Sequence, residues 1–146
     1  MMPIGVLGAG SWGTALAVHY AAQGQEVLLW ARRHEAAEAM AAARTNEAYL
    51  PGVHLPESLR VTADLAPVVA CDPILVVVPS HGYRQVLREV LRRLDPGRPH
   101  ALVSGTKGIE LETHSRMSEV TAEEAQRAGV SARFAVLSGP NFAAEL

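Results

Sequence analysis

IGVLGAGSWG, residues 4–13, is an apolar run that enters a glycine-rich turn of the form G-x-G-x-x-G. An alanine-rich segment follows at residues 14–22, and a second apolar run follows at residues 26–30. A lone G-x-G-x-x-G is weak evidence, but the order strand, turn, helix, strand is the context in which this spacing binds a dinucleotide. We therefore predict a β-α-β unit with a dinucleotide site. The alternative is a structural glycine turn in an unrelated α/β protein.

Each glycine of the turn has its own physical task. Gly8 permits the tight turn after the strand, and Gly10, which lacks a Cβ, lets a pyrophosphate approach the backbone. Gly13 lets the helix pack closely on the sheet, with the positive N-terminal end of the helix toward the phosphates. These three glycines form the predicted dinucleotide-binding turn.

Strand and helix patterns alternate along the rest of the chain. Residues 73–78 are continuously apolar and rich in β-branched side chains, as in a central parallel strand that is buried on both faces. Further strands are predicted near residues 59–62, 101–103 and 134–137, helices near residues 34–44, 83–94 and 115–128, and a turn-rich segment at residues 45–56. This alternation predicts an α/β fold, a doubly wound and mostly parallel sheet of the Rossmann type in three layers (α/β/α). In the helix at 83–94, Arg88 and Arg92 repeat the helical period and are interpreted as a solvated face.

Composition narrows the classes of protein further. The 146 residues suffice for one well-filled core, so we expect one dinucleotide-binding domain over residues 1–146. The net charge of −2 argues against a nucleic-acid partner. No apolar stretch reaches membrane-spanning length, and the first residues do not form a signal peptide. The single cysteine, Cys71, excludes an intramolecular disulfide and is predicted to lie in the core. We expect a cytoplasmic protein without membrane insertion, and the histidine spacing predicts no metal site.

One lysine stands out among the charged residues. Lysine and arginine total 13, and Lys107 is the only lysine, in the loop SGTKG at 104–108. A compact ammonium suits a confined site where a guanidinium fork does not fit, so we interpret Lys107 as a functional residue. The alternative is a solvated loop lysine. In a doubly wound sheet this loop lies at the same edge as the glycine turn, because ligands bind at the carboxyl ends of the strands.

The coenzyme preference is predicted from the end of the second strand. An NAD site usually carries an acidic residue there, whereas this chain has Arg32 and Arg33 and no acid before Glu35. Two guanidinium groups suit a ribose 2′-phosphate. We therefore expect NADP to be preferred, with NAD also possible, and the alternative is that both arginines are solvated residues at a helix start.

Five motifs occur in a fixed order along the chain. They are GAGSWGTA at 8–15, YLPG at 49–52, VPSH at 78–81, KGIE at 107–110 and SGPNFAAE at 138–145. Together they closely resemble the N-terminal domain of bacterial NAD(P)-dependent glycerol-3-phosphate dehydrogenases. The resemblance covers essentially the whole chain. It implies reversible reduction of dihydroxyacetone phosphate to sn-glycerol 3-phosphate, the entry to glycerophospholipid synthesis.

The resemblance also implies roles for individual residues. The implied coenzyme contacts are Ser11, Trp12, Arg32, Arg33, Lys107 and Ala143, beside Gly8, Gly10 and Gly13 of the turn. Lys107, Gly139 and Asn141 are the implied substrate contacts. The family often has Ser or Thr where this chain has Asn141, although an amide still hydrogen-bonds an oxygen.

The segment after Gly139 and the role of Lys107 carry expectations of their own. We predict that Gly139 and Pro140 start a helix, with the N–H groups of Asn141 and Phe142 facing a ligand. No residue of the chain is predicted to be the catalytic base. Lys107 could stabilise a developing alkoxide or anchor the phosphate, and the sequence does not separate these roles.

The resemblance places the general base, a lysine, in a helical C-terminal domain that this chain lacks. The chain ends in helix-forming residues, so we expect a fragment that binds coenzyme with little turnover. The resemblance further suggests a homodimer formed mainly by the missing part. Two alternatives stay open: another dehydrogenase of the hydroxyacid or ketopantoate type, and a stand-alone NADP(H)-sensing module.

Overall fold

The computed structural model describes residues 2–139 and 142–146. Its main sheet contains six strands: β1 (Ile4–Leu7), β2 (Val27–Trp30), β5 (Leu59–Thr62), β6 (Ile74–Val76), β7 (His100–Ser104) and β8 (Ala132–Val136). A separate two-stranded sheet pairs β3 (Thr45–Asn46) with β4 (Leu50–His54). The helices are α1 (Ser11–Ala22), α2 (His34–Ala43), α3 (Ala66–Val69), α4 (Ser80–Leu91) and α5 (Met117–Ala128), followed by a 3-10 turn at Ala143–Glu145.

The strand order in the main sheet is β5-β2-β1-β6-β7-β8, and every neighbouring pair is parallel. The chain winds outward from β1 in one direction, then returns to the centre and winds outward the other way from β6. The order therefore reverses between β1 and β6, and such a switch point opens a crevice at the carboxyl ends of the strands. The predicted doubly wound fold is confirmed.

Two apolar clusters cover the two faces of the sheet. One joins strand residues such as Val6 and Leu29 to Leu16 of α1 and Met40 of α2. The other joins Leu7 and further strand residues to apolar side chains of α3, α4 and α5. Neighbouring residues of β1 thus point into different clusters, as the alternation along a strand requires. The predicted three layers are confirmed. Cys71 is 2% exposed within the second cluster, also as predicted.

The segment at residues 45–56 differs from the prediction. Its sequence predicts a turn-rich segment, but it forms the antiparallel hairpin β3–β4. Arg44, in a left-handed conformation after α2, donates hydrogen bonds to the carbonyl oxygens of Leu55, Pro56 and Leu59. These contacts close the hairpin against the start of β5. Local sequence carries no sign of them because they join residues 11–15 positions apart.

Arg92 is exposed and the Arg88 side chain is 43% exposed, as predicted for a solvated face, but Arg88 also forms an ion pair that was not predicted. Its guanidinium donates two hydrogen bonds of 2.9 Å to Glu124 of α5, whose side chain is 2% exposed. Arg84, one turn earlier on α4, bonds the same carboxylate at 2.8 Å. The basic face of α4 therefore pairs with an acidic group of α5 that lies 36 or more residues away.

The predicted helix start at Gly139 falls partly on Pro140 and Asn141, which lie outside the described residues. Phe142 has an extended backbone (φ −109°, ψ 125°), so the predicted helical position of its N–H is wrong. Within residues 2–139 and 142–146, no helix has the length and apolar character needed to span a bilayer.

Candidate functional site

The crevice at the switch point holds a cleft of about 420 Å³. Its walls come from Gly10 and the start of α1, the segment after β6, the loop after β7 and the start of the 3-10 turn with the residue before it. Six residues that the sequence analysis assigned to a ligand site line this one cleft: Gly10, Ser11, Trp12, Gly13, Lys107 and Ala143.

The three glycines of the turn differ in the space around them. Gly8 has φ +114°, and a Cβ there would lie 2.3 Å from the carbonyl oxygen of Val77. A Cβ on Gly13 would lie 1.9 Å from the carbonyl oxygen of Gly8, so α1 packs directly against the turn. A Cβ on Gly10 would meet nothing within 4 Å. Two of the glycines are thus required by packing, and the third borders open space in the cleft.

The indole of Trp12 forms part of the cleft wall. Its Nε1 is buried, and no hydrogen-bond partner for it occurs among residues 2–139 and 142–146. The loop after β7 lies close to this atom, because a Cβ on Gly105 would be 3.4 Å from Nε1. A Cβ at position 105 would thus be in van der Waals contact with the Trp12 ring, so the loop packs closely on the turn.

Backbone and hydroxyl hydrogen bonds hold the loop that carries Lys107. The Gly105 N–H donates to the carbonyl oxygen of Val76 at 2.9 Å, and the Thr106 hydroxyl donates to that of Val78 at 2.8 Å. Lys107 itself is exposed. It lines both the cleft and a neighbouring hollow of about 450 Å³ that also includes Gly139.

Among the predicted substrate residues, Gly139 borders a different space from the glycine turn. Gly139 lines the second hollow rather than the cleft, and Asn141 lies outside the described residues. Lys107 is the predicted site residue that borders both spaces. A ligand in the cleft and a second ligand in the hollow would therefore meet at this side chain.

Arg32 and Arg33 are exposed and lie between β2 and α2. Because β2 pairs with β1 in parallel, both arginines are at the same edge of the sheet as the glycine turn. Neither lines the cleft. Their contact with a coenzyme stays a prediction.

The anchor of the Lys107 loop was missed at the sequence level. Glu110 accepts two hydrogen bonds from Arg84, at 2.7 and 2.8 Å, and also one from the Thr113 hydroxyl. Chiefly because of the Arg84 bonds, the pKa of Glu110 falls to about 2. The carboxylate is therefore ionised at neutral pH and ties the loop to α4. The KGIE motif was the signal, but its partner lies 26 residues earlier.

Asn46 was also missed, and it touches the glycine turn directly. Its buried amide donates hydrogen bonds to the carbonyl oxygen of Ala9 at 3.0 Å and to the Thr14 hydroxyl at 2.8 Å. Nothing in the local pattern of residues 45–56 predicts a contact over 30 positions. In the part of the chain that the structure describes, no group of three or more His, Cys, Asp or Glu side chains is placed to hold a metal ion.

Comparison with known proteins agrees with this geometry. The family described as NAD-dependent glycerol-3-phosphate dehydrogenase N-terminus matches residues 3–146. Glycerol-3-phosphate dehydrogenase (NAD(P)+) of Thioalkalivibrio sulfidiphilus is 49% identical over 145 residues, which cover 99% of this chain and 42% of that protein. Its counterpart in Parvibaculum lavamentivorans is 45% identical over 143 residues, covering 98% and 41%.

A solved structure supports the same assignment. Glycerol-3-phosphate dehydrogenase from Coxiella burnetii superposes with a TM-score of 0.88 at 36% identity, over 99% of this chain and 42% of that one. The chain therefore spans about two fifths of the length of the relatives it matches. It belongs to the family of NAD-dependent glycerol-3-phosphate dehydrogenases and corresponds to their N-terminal part, as its motifs implied.

Proposed function

We propose that this chain is the coenzyme-binding part of an NAD(P)-dependent enzyme that interconverts dihydroxyacetone phosphate and sn-glycerol 3-phosphate. The observation that carries the proposal is the open face of Gly10 in a cleft that Lys107 also lines. The relatives' names support the reaction, and the order of the strands supports a dinucleotide at this edge of the sheet.

The residues present fit a dinucleotide. The pyrophosphate would lie against Gly10 and the first residues of α1, Ser11 to Gly13, whose N–H groups are at the positive end of the helix. No side chain at position 10 would stand in its way. Ala143, on the cleft wall, would border the coenzyme from the opposite side.

The adenosine end would extend from the turn toward β2, where Arg32 and Arg33 are exposed and able to reach a ribose 2′-phosphate. We propose that NADP is preferred for this reason and that NAD is also accepted. An ionised phosphate forms hydrogen bonds with guanidinium groups in which both partners are charged, whereas a free 2′-hydroxyl carries no charge to pair with them.

The bound nicotinamide would supply a hydride to the carbonyl carbon of the substrate, or accept one in the reverse direction. The residues of this chain would orient the substrate and balance its charge. Lys107 would hold either the developing alkoxide or the phosphate, and Gly139 would contact the substrate in the adjoining hollow. We propose Asn141 as a further substrate contact.

Reduction of the carbonyl consumes a proton as well as a hydride. The family resemblance assigns this proton transfer to a lysine of a C-terminal domain, so residues 1–146, proposed as one domain, would bind coenzyme with little turnover. We further propose a cytoplasmic enzyme of glycerophospholipid synthesis, dimeric in its complete form, with no nucleic-acid partner.

Equilibrium titration of the chain with NADPH and NADH tests the coenzyme proposal. Fluorescence of Trp12 in the cleft should be quenched on binding, and Trp12→Phe separates this signal from that of Trp30, which is buried at the end of β2. Saturable binding that is tighter for NADPH supports the proposal. Absence of binding to both coenzymes by the folded chain would contradict it.

A further inference from the structure

The hairpin β3–β4 places the buried side-chain amide of Asn46 against the glycine turn. Asn46 is 3% exposed, and its Nδ2 donates to the Ala9 carbonyl oxygen at 3.0 Å and to Thr14 Oγ1 at 2.8 Å. An asparagine amide nitrogen carries two hydrogens, so both are used. The two acceptors flank Gly10, one on the turn before it and the other in the first turn of α1.

The bond to Ala9 decides how the next peptide N–H points. Among the described residues the one cis peptide bond is Asp72–Pro73, so the Ala9–Gly10 bond is trans. In a trans peptide the C=O and N–H groups point in opposite directions from one rigid plane. Because Asn46 holds the Ala9 oxygen toward the hairpin, the Gly10 N–H is turned away from the hairpin.

We infer that Asn46 is a positioning residue for the coenzyme pyrophosphate, because it fixes the Ala9–Gly10 peptide so that the Gly10 N–H is presented to a phosphate oxygen in the cleft. This inference rests on the proposed function. It assigns a role in coenzyme binding to the hairpin β3–β4, which contains the family motif YLPG at residues 49–52. Pre-set donors cost no reorganisation when an anion binds.

The hairpin does not need Asn46 for its own attachment. Leu50 and Leu55 are buried in the molecule, and Arg44 bonds the carbonyl oxygens that follow β4. Both amide hydrogens of Asn46 are given to the turn and α1 instead. A role limited to hairpin stability would not require a donor aimed at Ala9.

The test compares Asn46→Ala and Asn46→Asp with wild-type chain by calorimetric titration. The probes are ADP-ribose, which contains the pyrophosphate, and 2′-AMP, which does not. Asn46→Asp fills the same volume and keeps an acceptor for the Thr14 hydroxyl, but it cannot donate to Ala9 and adds a negative charge. The comparison therefore does not depend on the alanine variant folding.

Ser58→Ala is the matched control. Its hydroxyl donates to the carbonyl oxygen of Ala21 at 3.0 Å, at the opposite end of α1, so the variant loses a side-chain hydrogen bond to the same helix far from the turn. All titrations are made at a temperature at which thermal melts show every variant folded.

We expect both Asn46 variants to bind ADP-ribose roughly tenfold more weakly, because the hydrogen bond from the Gly10 N–H to the charged phosphate is lost. Asn46→Asp should lose more, because it also adds a negative charge beside the turn. Binding of 2′-AMP should be nearly unchanged, and Ser58→Ala should match wild type for both probes. Equal losses for both probes, or none for ADP-ribose, would overturn the inference alone. If wild-type chain binds neither ADP-ribose nor NADP, the proposed function fails with it.

Discussion

At the scale of single residues, the glycines of the turn serve different purposes: Gly13 is required for packing, and Gly10 leaves space for a ligand. Gly13 lies so close to the carbonyl oxygen of Gly8 that any side chain would force the helix off the turn. Gly10 has ordinary backbone angles (φ −74°, ψ −176°) and open space at its Cβ position. A folded apo-protein therefore tolerates alanine at position 10, and only a ligand in the cleft would exclude it.

Gly10→Ala and Gly13→Ala should consequently fail in different ways. We expect Gly10→Ala to change the free energy of unfolding by less than about 1 kcal/mol but to abolish tight coenzyme binding. Gly13→Ala should lose about 1–3 kcal/mol of stability or more through overpacking. Denaturant unfolding and NADPH titration measure both effects. Unchanged coenzyme affinity in Gly10→Ala would contradict the proposal that the pyrophosphate binds at this turn.

Charge removal at Arg32 and Arg33 tests the coenzyme preference. The double variant Arg32→Gln, Arg33→Gln should bind NADPH roughly 100-fold more weakly, because it loses two charge-assisted bonds to a phosphate, each of which contributes about 1.5 kcal/mol at an exposed site. Its affinity for NADH should change little.

Arg133→Gln is the matched control, since Arg133 is an exposed arginine on β8, an outer strand that β1, β6 and β7 separate from β2. It removes one positive charge from the protein, as each of the two substitutions in the double variant does. Equal effects of the Arg32 and Arg33 changes on NADPH and NADH would contradict the assignment of the 2′-phosphate to these residues.

At the scale of elements, an ion-pair cluster joins α4, α5 and the loop of Lys107. Glu124 accepts hydrogen bonds from Arg88, Arg84 and Arg127, while Arg84 also binds Glu110. Hydrogen bonds from Arg88 first, and then from Arg84, lower the pKa of Glu124 to about 2 despite its burial. The cluster therefore holds two ionised carboxylates between the helices and the loop.

This cluster predicts a loss of stability in acid. Glu110 and Glu124 have an ordinary pKa of 4.5 and a pKa of about 2 in the folded chain. Below pH 4.5 the unfolded chain takes up protons that the folded chain does not, so their contribution is present above that pH and is lost as pH falls toward 2. Urea unfolding across this range should show the decline.

Glu124→Gln should flatten that decline and lower stability at neutral pH, because Arg88 and Arg127 lose their carboxylate partner and the buried side chain at position 124 no longer carries the charge that they bind. Glu123→Gln is the control, since this carboxylate is half exposed and its pair with Arg84 contributes about 0–1 kcal/mol. A Glu124 variant as stable as the Glu123 variant would show that the cluster does not stabilise the fold.

The sequence predicted the elements whose signal is local. β1, β2 and β6 are short apolar runs, α1 is alanine-rich and α4 repeats apolar residues at the helical period, so the doubly wound order followed from alternation. The hairpin β3–β4 escaped prediction because Arg44 closes it through backbone carbonyl groups 11–15 positions away. The ion pair of Arg88 escaped prediction for a similar reason, because its carboxylate partner, Glu124, is on another helix.

The site was predictable to the extent that it consists of strand ends. Loops after β1, β6 and β7 meet at one edge in any sheet of this order, which brings Gly10 and Lys107 to the same cleft. The supporting contacts of Asn46 and Glu110 were not predictable. They depend on which side chains the packed helices and hairpin bring together.

At the scale of the whole molecule, coenzyme binding and turnover should separate. We expect the 146-residue chain to bind NADPH but to oxidise it with dihydroxyacetone phosphate far more slowly than the complete relatives do, since the proton-transferring lysine is assigned to another domain. A steady-state absorbance assay at 340 nm, the wavelength at which reduced nicotinamide absorbs, measures this. Robust turnover by these residues alone would contradict the division of roles.

The central claim is that the turn between β1 and α1 binds the pyrophosphate of the coenzyme. Its most direct test is a two-dimensional ¹H–¹⁵N NMR titration of the labelled chain with NADP. We predict saturable shifts of the Gly10, Ser11, Trp12 and Gly13 amides, together with those of the loop at 104–107. Shifts confined to other parts of the chain, or no shifts in the folded protein, would contradict the account.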